Sequence, residues 1–313
     1  MKSYQRLLIL LVVALAVTSL LSPWVAALWD SIVDARPEWE RYRYSFPHIF
    51  GRLFMITGAV LVLSSRSLLR LQFLREAGLG PLRPGYRELL RGFGVAVASV
   101  AVIGILMWIS KNLAPHFRSS LYAALESSGR ALLTALTVGL FEEFFFRGLI
   151  FKGLLDDARP AIAFTVANLF YAAVHFVKPA EKFALSGPDP LAGIRFLIQA
   201  LEPFLNPPAI LPGLVGLFII GVVLSYALLR TQLLYLSIGL HAGWVFGIKT
   251  LSIYGEFTRA DLGWAFGAKP KIVSGVVSWI GIAAVGVVVH LMTRPHPNPL
   301  PRREREGRGP QEL

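Results

Sequence analysis

Two adjacent carboxylates and an arginine interrupt an apolar stretch of the chain, Val138-Gly139-Leu140-Phe141-Glu142-Glu143-Phe144-Phe145-Phe146-Arg147-Gly148. A charge at the centre of a membrane helix costs about 2.5–3.5 kcal/mol on insertion scales, so a trio held there must have a task. Helical spacing separates their roles. Glu143 and Arg147 are i,i+4 neighbours on one face and can pair. Glu142 lies about 100° further round the helix and is left without that partner. A carboxylate in such a setting can take a proton from water and hand it on, which is general base and then general acid chemistry. The structural alternative, an ion pair that only fixes helix packing, accounts for Glu143 and Arg147 and leaves Glu142 unexplained.

Two histidines fall in apolar runs with polar company. His175 ends the stretch Asn168-Leu169-Phe170-Tyr171-Ala172-Ala173-Val174-His175. The spacing of Asn168, Tyr171 and His175 makes them one polar stripe on a helix. His241 lies in Ser237-Ile238-Gly239-Leu240-His241-Ala242-Gly243. Gly239, Gly243 and Gly247 recur every fourth residue, a seam of small residues that lets another helix approach closely. His241 is about 160° from Gly239 and points largely away from that seam. Either histidine alone reads equally as a hydrogen-bonded packing residue. The glutamates in the same membrane favour chemistry. His48, His116, His290 and His296 are assigned nothing.

What must position these residues is a set of membrane helices. Of 313 residues, 55% are hydrophobic and only 16% charged, against about 25% charged in soluble domains. A bilayer can cover that much apolar surface. Helices are the expected spanning elements, because backbone polar groups in lipid must be satisfied within the segment or in a closed barrel. The apolar runs are 7–29, 47–65, 92–111, 130–151, 160–177, 209–229, 232–249 and 273–293, about eight spans. The net charge of +12 sits between these runs, where topology determinants belong, rather than in a nucleic-acid-binding patch. Lys2 and Arg6 precede a run too long for a secretory signal, which reads as an uncleaved first span. Six arginines (66, 70, 75, 83, 87 and 91) follow the second run and place both termini on the cytoplasmic side. The chain has no cysteine, which excludes a thiol nucleophile and Cys-ligated metal. The connection 178–208 contains Leu191–Ile198, too short to span and apolar enough to lie in the interface as a helix or re-entrant segment. The tail from Arg294, rich in Pro, Arg, Glu and Gly, cannot build a core and is expected to be disordered. The expected divisions are 1–129 (first helices and a basic cytoplasmic loop), 130–250 (the reactive core), 251–293 (an outer loop and last span) and 294–313 (the tail).

In its motifs the chain resembles the CAAX-protease and bacteriocin-processing (CPBP, or Abi) intramembrane endopeptidases, a family that includes the type II CAAX prenyl proteases. The family's Glu-Glu-xxx-Arg is matched by Glu142, Glu143 and Arg147, and the histidine of its Phe-xxx-His by His175. The histidine of a third motif, followed four residues on by Asn or Asp, is matched by His241. The resemblance covers roughly residues 130–250. Two positions depart from it. Tyr171 stands where the family usually has Phe, and Val245 where it has the Asn or Asp expected to help hold the oxyanion. Val245 cannot donate a hydrogen bond, and the hydroxyl of Tyr171, one turn from His175, could supply the missing donor.

Other protease chemistries lack their motifs. There is no His-Glu-x-x-His, no Gly-x-Ser-Gly and no Gly-x-Gly-Asp. The resemblance implies an all-α polytopic transmembrane bundle with a polar intramembrane cavity between the fourth, fifth and seventh spans. Its activity would be that of a hydrolase cleaving a peptide bond in a membrane-associated protein or peptide. Glu142 would be the general base, Glu143 and Arg147 its support, and His175 and His241 would hold water, metal or oxyanion. Two readings of the cofactor stay open. Zinc or another divalent metal could be held by His175, His241 and Glu143 with an open fourth position, or the same residues could act without metal. The expected surroundings are membrane lipid, a bacterial cytoplasmic membrane and no nucleic acid. The alternatives are a catalytically silent scaffold or transport-associated subunit, and a small-solute carrier using the glutamates as a proton site.

Overall fold

The computed structural model describes residues 3–64, 78–80, 82–116, 120–177, 183, 189–259, 261–267 and 272–294. Arg66, Arg70 and Arg75 of the basic loop, and the tail from 295 onward, lie outside the described residues. Among the described residues the chain is all-α apart from one short ladder. In order come α1 (Ser3–Asp34), α2 (Phe46–Ser64), α3 (Leu82–Ile109) and α4 (Leu121–Glu143). A π-helix, Phe144–Phe151, carries α4 without a break into α5 (Lys152–Asp157). Then follow α6 (Pro160–Val174), α7 (Ala192–Ala200), α8 (Pro207–Thr231), α9 (Tyr235–Tyr254) and α10 (Val276–Met292).

Each of the eight apolar runs lies on a helix. Among the described residues four helical segments are both long and apolar enough to cross a bilayer: Leu8–Asp34, Gly85–Ile109, Pro207–Thr231 and Tyr235–Tyr254. Two shorter apolar helices accompany them, Pro160–Val174 and Val276–Met292. The chain is an integral membrane protein. Hydropathy misplaces two boundaries. α3 begins ten residues before its apolar run, because Arg83, Arg87 and Arg91 are good helix formers that extend the helix past the hydrocarbon with their heads in water. The fourth span likewise starts at Leu121 rather than 130, with Ser120 as its N-cap accepting from the Ala123 amide.

By backbone contacts the chain divides into two units, Met1–Phe73 with Leu169–Phe218, and Leu74–Asn168 with Ile219–Leu313. In the first, α1 and α2 form an antiparallel hairpin and α7 packs on α1. Its core gathers Ala26, Phe46, Ile49, Phe50, Ala192 and Phe196. The α1–α2 turn is held by Arg43, which bonds Asp34 at 2.6 Å and Glu40 at 2.7 Å. That hydrogen bond holds the Glu40 carboxyl below the usual carboxylate range.

In the second unit α9 is the central helix, packed against α3 on one side and α4 on the other. The glycine seam faces α3. A Cβ at Gly239 would come within 2.1 Å of the Leu89 carbonyl oxygen, and one at Gly243 within 2.6 Å of that of Phe93. The two backbones are in contact, which no larger residue permits. On the opposite side Gly139 of α4 lies against Ile238 and Ala242. The connections following α3 and α9 pair as a two-stranded antiparallel ladder, β1 (Leu113–Pro115) and β2 (Gly255–Phe257). An apolar cavity of about 190 Å³ lies between α3 and α9 beneath it, lined by Val97, Val100, Phe246, Thr250 and Tyr254, away from the glutamates.

Candidate active site

Glu142 and Glu143 are the last residues of α4 before the hydrogen bonding slips from i→i−4 to i→i−5. At the far end of the slipped turn the Lys152 amide still donates to the Arg147 carbonyl, five residues back. Such π segments are frequent at functional sites. This one is anchored by Phe151 and Ile150, packed with Ala163, Ala167 and Leu234. No local pattern in the sequence announces it.

Glu143 and Arg147 are buried, with Arg147 Nη1 donating to Glu143 Oε1 at 2.9 Å, the i,i+4 pair expected from spacing. Arg147 Nη2 donates across to the Gly221 carbonyl of α8 at 3.3 Å. His241, buried on α9 and turned away from the glycine seam, places Nδ1 2.8 Å from the same Glu143 Oε1. One carboxylate oxygen thus serves both a guanidinium and an imidazole. A carboxylate on Nδ1 holds the ring in place and directs its Nε2. That Nε2 faces Glu142, with Oε2 3.8 Å away. Glu142 is the more open carboxylate, its side chain 32% exposed where that of Glu143 is fully buried.

The polar stripe of α6 is divided between the units. Asn168 belongs to the second, where its amide donates to the Phe164 carbonyl at 2.8 Å and Ser225 of α8 donates to its oxygen at 2.9 Å. Ser237 of α9 donates to the Leu224 carbonyl of α8 at 2.9 Å. These buried bonds tie α6, α8 and α9 around the charged trio. Ser225 and Gly221 carry no signal in sequence. Tyr171 and His175 belong to the first unit. Tyr171 is buried, its ring edge-on to that of His175 at 4.6 Å, and His175 Nδ1 lies 2.8 Å from the Tyr171 carbonyl oxygen. Val245 is one turn beyond His241 on α9.

The donor set can be tested for a metal. Glu142 Oε2 and His241 Nε2 are spaced as two ligands of one cation could be. Glu143 Oε1, however, is engaged by Arg147 and His241. Among the described residues no three His, Asp or Glu side chains gather as a metal site requires, and catalytic zinc takes three protein ligands. His175, the third residue that the resemblance offers as a ligand, belongs to the first unit.

The fold and this cluster define the class: a helical membrane protein in which a glutamate, an arginine and a histidine are buried together with a second, more open glutamate beside them. Residues 124–247 match the family model described as type II CAAX prenyl endopeptidase Rce1-like, a likeness confined to that stretch of the chain. No match is found among curated proteins or solved structures.

Proposed function

We propose that the chain is an intramembrane endopeptidase of CAAX-protease type, hydrolysing a peptide bond in a membrane-associated protein or peptide, with Glu142 as general base. The observation that carries this reading is the 3.8 Å gap between Glu142 Oε2 and His241 Nε2, with the imidazole fixed from behind by Glu143. A water that donates to both acceptors would sit beside this gap, with a small movement of either side chain. A water there would give its proton to Glu142 as its oxygen attacks the peptide carbonyl. The proton then passes from Glu142 to the leaving amine as the C–N bond breaks, so the carboxylate is regenerated. His241 accepts from the attacking water and aims it. Arg147 holds the Glu143 side chain through its hydrogen bond, and Glu143 keeps the His241 ring in place.

The resemblance adds His175 and Tyr171. By that resemblance His175 would hold water or oxyanion, and the Tyr171 hydroxyl would supply the hydrogen bond that Val245 cannot. The protein sits in a bacterial cytoplasmic membrane with both termini on the cytoplasmic side. Reconstituted protein and a membrane-anchored reporter peptide test the reading. Glu142→Gln keeps the shape and removes the base, so cleavage falls by about 10²–10⁴-fold, the usual share of a positioned base. Undiminished cleavage by Glu142→Gln would overturn the assignment. Val245 favours a second reading, a silent scaffold that keeps the fold, and its signature is a wild-type protein that binds the peptide and never turns it over.

A further inference from the structure

The geometry points to residues 191–205 being a re-entrant segment that carries Arg195 to a depth inside the hydrocarbon layer, where one side of α7 lines a water-filled vestibule. Within the first unit, the contact of α7 with α1 sets the depth. A Cβ at Gly193 of α7 would fall 2.0 Å from the carbonyl oxygen of Ser19 and 2.6 Å from its Cα, so the α7 backbone rests on that of α1 at this residue. Ser19 lies well inside the apolar span Leu8–Asp34. At about 1.5 Å per residue it is roughly 16 Å from one end of the span and 22 Å from the other. However a hydrocarbon layer of about 30 Å is slid along this helix, Ser19 stays inside it. α7 is therefore no helix afloat at the surface.

The site of contact is made for a visitor of this kind. Pro23 has no amide to give the Ser19 carbonyl, which would otherwise be its helical acceptor. Only glycine at 193 lets another backbone sit over that carbonyl. Thr18, Ser19 and Ser22 are buried beside it, their hydroxyls without hydrogen-bond partners among the described residues. The polar side of α1 is thus concentrated at the depth where α7 arrives.

Around α7 three arcs follow at about 100° per residue. Ala192, Gly193, Phe196 and Ala200 are buried against the hairpin. Ile194, Ile198 and Leu201 are exposed and apolar, a lipid-facing arc. Arg195 and Gln199 make the third. The side chain of Arg195 is 62% exposed while paired with Asp189, which also accepts from the Leu191 amide at 3.0 Å. A guanidinium so open cannot face hydrocarbon, and ionisable groups at such depth face water-filled space or protein. The inference does not depend on catalysis.

Because the chain has no cysteine, single cysteines test it directly in reconstituted vesicles. Glu38→Cys in the exposed α1–α2 turn serves as the aqueous standard and Leu20→Cys, exposed on α1 beside Ser19, as the lipid standard. With a membrane-impermeant thiosulfonate, Arg195→Cys and Gln199→Cys react at rates near that of Glu38→Cys. Ile194→Cys and Ile198→Cys, like Leu20→Cys, react more than about tenfold slower. Nitroxides at 194 and 198 report the immersion depth of one at 20. Gln199→Cys keeps the test open should loss of Arg195 disturb folding. Nitroxides at 194 and 198 reading headgroup depth would overturn the proposal in favour of a surface helix. Four unreactive cysteines would overturn the vestibule.

Discussion

Glu143 is the hinge of the residue-scale argument, because one of its oxygens meets both Arg147 and His241. Replacing it with Gln leaves a guanidinium buried without its counter-charge, and breaking such a pair costs about 3–5 kcal/mol. Glu143→Gln should therefore lower detergent-stable yield and melting temperature, whereas Glu142→Gln should leave both near wild type and abolish turnover. Equal yields with the larger activity loss at Glu143 would reverse the two roles. Tyr171 and Val245 make a second, asymmetric demand. Losing an oxyanion donor costs about 2.7–4 kcal/mol of transition-state stabilisation. Tyr171→Phe, which restores the family's usual residue, should lower kcat by a comparable factor, and adding Val245→Asn should recover part of it. Wild-type rates in Tyr171→Phe would end the idea. The Glu143–Arg147 pair was legible in the sequence because both partners lie on one helix, where spacing alone sets geometry. The Glu143–His241 bond was not. It spans 98 residues, and only the packing of α9 on α4 decides which carboxylate the imidazole meets.

At the scale of elements, the glycine seam makes the plainest prediction. A side chain at Gly239 must collide with the backbone of α3 at Leu89, not with a flexible neighbour. Gly239→Leu should push α3 and α9 apart and destabilise by more than the 1–3 kcal/mol or so typical of overpacking, read as a lower melting temperature in detergent. Gly94, with open space around its would-be Cβ, is the control, and Gly94→Ala should be tolerated. If the two variants melt alike, the seam is not a packing surface. The seam was readable from its four-residue period, and so was the side from which His241 emerges. The π turn was not. Its i→i−5 bonding depends on how Phe151 and Ile150 are seated among neighbours from α6 and α9, which a local pattern of apolar residues does not encode. The starts of α3 and α4 were missed for a related reason: hydropathy marks where lipid begins, and helices do not stop there.

For the whole molecule, composition alone was sufficient to read an all-α membrane protein, since no soluble core hides 55% hydrophobic residues. It could not say whether a metal takes part. The engagement of Glu143 argues that purified protein stripped with a chelator should keep its activity and carry well under one equivalent of zinc by elemental analysis. Activity lost on stripping and restored by zinc alone would show that the donors regroup around a metal. One small feature has a larger mechanical meaning. The β1–β2 ladder sets Leu113 opposite Phe257 and Pro115 opposite Gly255, joining segments remote in sequence at the ends of α3 and α9. These two helices are thus held twice, along their lengths by contact and at one end by backbone bonds. Under tension applied at those ends they move as one lever. The opposite end, where Leu82 and Tyr235 begin the pair, is tied as well, the Leu234 amide donating to the Gly78 carbonyl at 2.9 Å and the Tyr235 hydroxyl to that of Gly80 at 2.8 Å, so a pull on either end is shared along the whole lever.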